Sequence, residues 1–305
     1  MQKSLISKQL IPLIFTGLIT LGSCNDNNKK THDTEAEEES PAGYALVWAD
    51  EFDGKGEPNP ANWAYEIGFI RNNEAQYYTD NPKNIRVEDG FLIIEAHKEK
   101  VVNEAFISGE ANNWMKKEEY GKYTSASITT KDLNEWKYGK VSVRAKLPKG
   151  TGTWPAIWML GKNWKEVGWP QCGEIDIMEH VGYQSDSIFG TVHTEAFNHI
   201  KKTEVGKSVF IENPYDDFHE YSIEWAPEKI VFLLDGTTYH QFKNLQKTDA
   251  EWPFDQPFHL KLNLAVGGSW GGLKGIDDSI FPQKMIVDYA RVYQKNNYYH
   301  YLIKN

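Results

Sequence analysis

Gly173-Glu174-Ile175-Asp176-Ile177-Met178-Glu179-His180 is the stretch from which the rest of the chain can be read. Alternate residues of a strand point to the same face, so Glu174 and Asp176 share one face and Ile175 and Ile177 the other. Glu179, five positions after Glu174, falls on the wrong face unless one extra residue is inserted. A β-bulge near Met178 supplies it, and bulges are frequent beside active sites. Three carboxylates crowded on one face destabilise a purely structural strand, because like charges repel and unpaired charge is costly to bury. The same crowding drives carboxyl pKa values apart, as acid–base chemistry requires. A solvated acidic strand is the ordinary alternative. The aliphatic residues on the opposite face and the bulge spacing weigh against it.

Outward from this strand, short alternating segments are separated by turn chemistry. Val141, Val143, Ala145 and Leu147 alternate with Lys140, Ser142, Arg144 and Lys146. Tyr221, Ile223 and Trp225 alternate with Ser222 and Glu224, and Phe258, Leu260, Leu262 and Leu264 with His259, Lys261 and Asn263. Phe91 to Glu95 reads as a short strand after the turn pair Asp89-Gly90. Lys229 to Leu234 and Thr237 to Phe242 flank Asp235-Gly236, a hairpin signal, and Ile286 to Tyr293 is the last strand. Polar, irregular residues 101–119 read as a long loop. The pattern predicts an all-β sandwich, with no nucleotide-binding glycine motif, no repeat and no long amphipathic helix.

The chain has 305 residues, a net charge of −10 and a pI near 5.4. That balance argues against nucleic acid, and against anionic polysaccharide, as partner. Eleven Trp and sixteen Tyr supply flat rings that can stack on sugars, although Trp48 and Trp63 read as core. Lys3 and Lys8 precede an apolar run from Leu10 to Leu21, too short to span a bilayer and of the length of a secretory core. It ends in Leu21-Gly22-Ser23-Cys24, similar to a bacterial lipobox, in which the cysteine is lipidated. Residues 1–24 are thus expected to be a lipoprotein-type signal peptide, and residues 25–43 a disordered acidic tether. Residues 44–295 would form the catalytic domain and residues 296–305 a tail. This places the protein across the inner membrane, lipid-anchored to an outer membrane or cell surface. Cys172, beside the acidic motif but without an adjacent base, reads as a small apolar filler.

The acidic stretch resembles the signature of glycoside hydrolase family 16, in the bulged form of laminarinases, agarases and carrageenases. Asn72-Asn73-Glu74-Ala75-Gln76-Tyr77-Tyr78-Thr79 is similar to a laminarinase motif, departing only in Ala75 for Leu. Residues 123–126, 139–148, 154–158 and 263–268 match in family order, so the resemblance spans roughly Ala45 to Gln294. It implies a jelly-roll β-sandwich of two antiparallel sheets with a concave substrate cleft, and a retaining endo-β-1,3-glucanase acting on laminarin-type glucan. The rivals are a mixed-linkage β-1,3-1,4-glucanase and a non-catalytic β-glucan-binding surface lipoprotein, which has no need of an acid pair.

By the resemblance Glu174 is the nucleophile, Glu179 the acid/base, and Asp176 the group between them that keeps Glu174 correctly charged. Retaining hydrolysis needs such a carboxyl pair about 5–5.5 Å apart. Trp154 and Trp158, four apart with Ala156 between, are expected to form a sugar platform, and Trp270 to stack from the loop after Gly267-Gly268. Asn72, Arg144 and His193 match family sugar-binding positions. Glu51, Gly90 and Asp288 match a convex-side site for a structural calcium ion, whose hard-oxygen ligands include backbone carbonyls. No catalytic cofactor is implied, and a monomer is expected.

Overall fold

The computed structural model describes residues 40–212 and 214–296. The expected signal peptide, Cys24 and nearly all of the tether and tail lie outside the described residues. In chain order the elements are β1 (Tyr44–Asp50), β2 (Ala64–Tyr65), β3 (Gln76–Tyr78), β4 (Ile85–Glu88), β5 (Phe91–Val102) and β6 (Tyr120–Ser125). β7 (Ser127–Thr129), β8 (Gly139–Lys146), β9 (Thr153–Gly161), the one-turn helix α1 (Trp164–Val167), β10 (Glu174–Glu179) and β11 (Ser187–His193) follow. The chain continues with β12 (Val205–Phe210), β13 (His219–Ala226), β14 (Lys229–Leu234), β15 (Thr237–Lys243), β16 (Phe258–Val266) and β17 (Gln283–Lys295).

These strands form two sheets. One runs β15-β14-β13-β8-β17-β5-β6-β3, with β1 added on β17 and β4 on β5. The other runs β12-β11-β10-β9-β16-β7-β2 and carries the acidic strand near its middle. Pairing is antiparallel except between β3 and β6, which is parallel. The main core lies between the sheets: Leu92, Ile94, Val141, Val143 and Val287 of the first meet Ile157, Met159, Ile175, Val192 and Leu262 of the second. The alternation read from the sequence is what builds this layer, since each strand gives every second side chain to it.

Two strands extend beyond the sequence reading. β5 continues through Val102 rather than ending near Glu95: its far half alternates polar and half-buried residues, and pairing with β6 supplies what hydrophobicity does not signal. β17 likewise runs longer at both ends, because β1 extends the pairing to Lys295 and β5 to Gln283. Trp63 is buried and Trp48 packs against the same core, as expected.

Candidate active site

The bulge falls where the spacing of the carboxylates requires it. Against β9, Asp176 pairs with Trp158 and Met178 with Ile157, so the register slips by one between them; against β11 it slips between Asp176 and Glu179. Ile177 and Met178, neighbours in sequence, therefore both enter the core with Ile175. Glu174, Asp176 and Glu179 are left together on the outer face. The cross-strand neighbours of these acids define the site. Glu174 lies between Leu160 and His193, Asp176 between Trp158 and Thr191, and Glu179 between Ala156 and Phe189. One strand further, β16 sets Lys261 beside Trp158 and Asn263 beside Ala156.

Trp154 and Trp158 do share the acids' face, outside the main core, yet each is only 8% exposed. They are not two open parallel plates. The Trp154 indole donates to Glu179 Oε1 at 3.1 Å and its ring meets Trp270 edge-on, at 5.7 Å and 81°; Trp270 also abuts Phe189. The Trp158 indole donates to Asn263 Oδ1 at 2.8 Å. Its ring lies 5.1 Å from the Arg71 guanidinium carbon and 4.3 Å from Lys261 Nζ. The two tryptophans thus belong to separate aromatic walls, one with Trp270 and Tyr183, the other with Trp164 and Trp169.

The remaining expected residues divide. His193 Nε2 approaches Asp176 Oδ2 at 3.4 Å and Glu174 Oε1 at 3.8 Å. Asn72 sits on a loop rather than a strand, with positive φ like Asn73, a conformation asparagine tolerates better than most residues. Its carbonyl accepts from Ser269 N, which ties it to the Trp270 loop. Gly268 permits this closeness, since a Cβ there would lie 3.2 Å from both the Asn72 oxygen and the Trp154 ring. Arg144 is placed elsewhere. It lies on β8 in the other sheet, on the face opposite the core residues Val143 and Ala145, where it pairs with Asp288 and overlies Phe218. Its polar parity points it to solvent on the far side of the sandwich, so it does not join the acids. The arginine that does reach the site is Arg71, immediately before Asn72.

Arg71, Glu66, Lys261, Trp169 and Phe189 are site residues that the sequence reading misses. Phe189 and Lys261 carry a usable signal, the face they share with His193 and Asn263 on their strands. Glu66 and Arg71 lie around irregular loops and carry none.

Burial sets the protonation of the acids. It pushes Glu174 up to about 7, against the opposing pull of Lys261, Arg71 and the Trp169 indole. Burial and the charge of Glu174 push Glu179 up to about 8, with the Trp154 indole acting the other way. Asp176, 4% exposed, is raised well above its usual range by burial and by the charges of both glutamates. Burial and the neighbouring His199 push His193 down to about 4, leaving a neutral imidazole. The cations beside Glu174 favour its anion, whereas the charge of Glu174 favours the protonated form of Glu179. Glu174, Asp176 and His193 each offer a donor atom within 4.8 Å of the others and could hold a cation, at the expense of the carboxylates that acid–base chemistry uses. Burial pushes the Cys172 thiol up to about 12, so it is a packed, inert group. His180 is fixed between the Ser187 carbonyl and the Tyr215 hydroxyl.

At the expected calcium position, the strand register brings the three residues to one corner. Asp50 faces Ala290, Val287 faces Leu92, and Gly90 immediately precedes β5. Glu51 there is engaged by Arg291 at 2.7 and 2.9 Å, and Asp288 by Arg144. The placement and the hard-oxygen set fit calcium, but both carboxylates would have to exchange an arginine for the ion.

A two-sheet β-sandwich with two glutamates of raised proton affinity on the outer face of a bulged strand, walled by aromatic rings, defines a glycoside hydrolase. The model of glycosyl hydrolases family 16 matches residues 72–291, and the chain belongs to that family. It is 46% identical over 261 residues to a beta-glucanase of Rhodothermus marinus, covering 82% of this chain and 85% of the relative. The solved laminarinase from Rhodothermus marinus superposes with a TM-score of 0.73 at 44% identity, covering 82% of this chain and 97% of the other. A non-specific endo-beta-1,3(4)-glucanase of the same family superposes with a TM-score of 0.74 at 43% identity, covering 84% and 93%.

Proposed function

We propose that this chain is a retaining endo-β-1,3-glucanase of laminarinase type. The observation that carries the reading is the bulge at Ile177-Met178, which aligns Glu174, Asp176 and Glu179 on one face, where Lys261 and Arg71 favour the anion of Glu174 while burial and the charge of Glu174 favour the protonated form of Glu179. Glu174 attacks the anomeric carbon as a carboxylate while Glu179 protonates the departing glycosidic oxygen. Glu179, then deprotonated, takes a proton from the water that releases the glycosyl ester. Asp176, protonated, spares the site a third negative charge. Trp154, Trp270 and Phe189 flank the acid, and Trp158 and Trp169 flank the nucleophile, so a glucan chain running along the cleft meets rings on both sides of the scissile bond. Asn72 and His193 contribute polar contacts at the two ends of this run.

The test is purified protein on laminarin, curdlan, lichenan and agarose, with products sized and early hydrolysis followed by proton NMR. Short oligosaccharides from laminarin and curdlan, released first as β-anomers, are expected. Products from agarose alone, or an initial α-anomer, would overturn the reading. A mixed-linkage preference is the second reading, favoured by the likeness to the 1,3(4)-glucanase; faster cleavage of lichenan than of laminarin would establish it.

Three further parts of the proposal stand apart from the chemistry. The chain acts as a monomer, checked by light scattering. Cys24 carries lipid and anchors the enzyme on an outer membrane or cell surface, so labelled palmitate enters the wild type and not Cys24→Ser. Calcium binds at Glu51, Asp288 and the Gly90 carbonyl as a structural ion. A chelator then lowers Tm while leaving low-temperature activity nearly intact, since a ligand of the folded state alone stabilises it; an unchanged Tm would remove the ion.

A further inference from the structure

Lys261 is a buried amine that the proposed chemistry does not use. It lies on β16, 6% exposed, on the same face as the acids and directly across from Trp158, which is itself directly across from Asp176. Its Nζ donates to Glu66 Oε1 at 2.7 Å and lies 4.3 Å from the Trp158 ring. Glu66 is also held by Arg71, at 3.0 and 2.9 Å, and by the Ser127 hydroxyl at 2.6 Å. One carboxylate therefore serves two cations. The second acid near Arg71 is Glu74, at 3.8 Å, and its burial raises its own proton affinity. The Trp158 side of the cleft is left with surplus positive charge inside a largely buried wall, where charge acts over longer distances than in water.

We propose that Lys261 is a positioning residue for the reaction: its ammonium, anchored on Glu66 and layered against Trp158, holds Glu174 in the anionic, nucleophilic form. This rests on the reading of the protein as a retaining glucanase. The groups facing Glu174 leave few alternatives for the role. Asp176 and Glu179 on its own strand are acids and oppose ionisation. His193 from β11 is held neutral, Leu160 from β9 carries no charge, and Trp169 from the α1–β10 loop offers only an indole N–H. The cations acting on it are Lys261 and, after it, Arg71. Burial, and after it Arg71, lower Lys261 to about 8, with Glu66 acting to retain its proton, so the amine is charged below about pH 8.

The test compares the pH dependence of kcat/KM on laminarin for wild type, Lys261→Met, Lys261→Arg and Glu66→Gln, with circular dichroism confirming each fold. Removing the charge should move the acidic limb upward by about one pH unit, at the low end of what a nearby opposite charge does. Lys261→Met then loses about tenfold more kcat/KM below the limb than above it. Lys261→Arg should keep the wild-type limb. Glu66→Gln, which frees the cations from their shared counter-charge, should move it downward. A purely structural Lys261 would instead lower kcat/KM equally at all pH values, and that result would overturn the proposal. If Lys261→Met does not fold, a Glu66→Gln limb that stays in place or moves upward does the same. Failure of the wild type to hydrolyse any β-glucan would instead sink the glucanase reading.

Discussion

Replacing Glu179 by Gln should stabilise the protein at neutral pH while abolishing the acid function, and the stabilisation should vanish as the pH is lowered. The fold raises Glu179 from 4.5 to about 8, so the folded state favours the protonated carboxyl. That contribution is fully present below pH 4.5 and is lost progressively as the pH rises through 8. A tenfold change in proton affinity corresponds to about 1.4 kcal/mol, so roughly 3 kcal/mol has been given up by pH 7. Gln is nearly isosteric, stays neutral throughout, and keeps an oxygen for the Trp154 indole that now donates to Glu179 Oε1. For a domain of this size about 1 kcal/mol moves Tm by roughly 2–4 °C. Differential scanning calorimetry of the two proteins should therefore give nearly equal Tm values at pH 4.5 and a gap of about 6–12 °C in favour of Glu179→Gln at pH 7. A gap that stays constant across this range, or a wild type that gains on the variant as pH rises, would refute the idea that a buried, protonated Glu179 is what the site maintains.

Glu174→Ser should abolish turnover of laminarin yet keep oligosaccharide binding by calorimetry, since water cannot replace the covalent step; loss of both together would make Glu174 a folding residue. Glu179→Ala should slow natural glucan severely and an aryl β-glucoside with a good leaving group far less, with azide restoring turnover as a β-glycosyl azide. Trp158→Ala should act chiefly on KM, and a change confined to kcat would remove it from the binding wall. Arg144→Ala should lower stability by about 1–3 kcal/mol, by removing its ion pair with the buried Asp288, and leave KM for laminarin unchanged; a raised KM would return Arg144 to the cleft.

The parts of the site that are legible in the sequence are those fixed by strand parity. Glu174, Asp176 and Glu179 can be placed on one face because an odd separation between acids, with aliphatic residues at the intervening positions, has one economical solution in a strand, a bulge. The same parity places Trp154, Trp158 and His193. Parity also leads to the error at Arg144. It says that a residue faces away from the core, but each sheet of a sandwich has its own outward face, and only one of them bears the acids. Nothing local to Lys140-Val141-Ser142-Val143-Arg144 distinguishes the two. Arg71 is hidden for the opposite reason, since it belongs to a loop whose path is set by contacts far along the chain, including Ser127. The extent of β5 is hidden too, because pairing to β6 rather than an apolar pattern sustains it.

The bulge also accounts for how so costly a site is supported. A regular strand would have sent one of Ile177 and Met178 outward among the acids and Glu179 inward to the core. With the slip, both apolar side chains are buried beside Ile175, and fully burying an aliphatic or methionine side chain contributes about 1.5–3 kcal/mol. That gain is of the same order as the roughly 3 kcal/mol that Glu179 alone gives up at neutral pH. The same backbone irregularity thus assembles three mutually repelling carboxyls on one side and supplies, on the other, packing that offsets part of their cost. A substitution at Met178 should consequently be felt at the acids even though its side chain lies on the opposite face of the sheet, because the register of β10 against β9 and β11 depends on both faces at once.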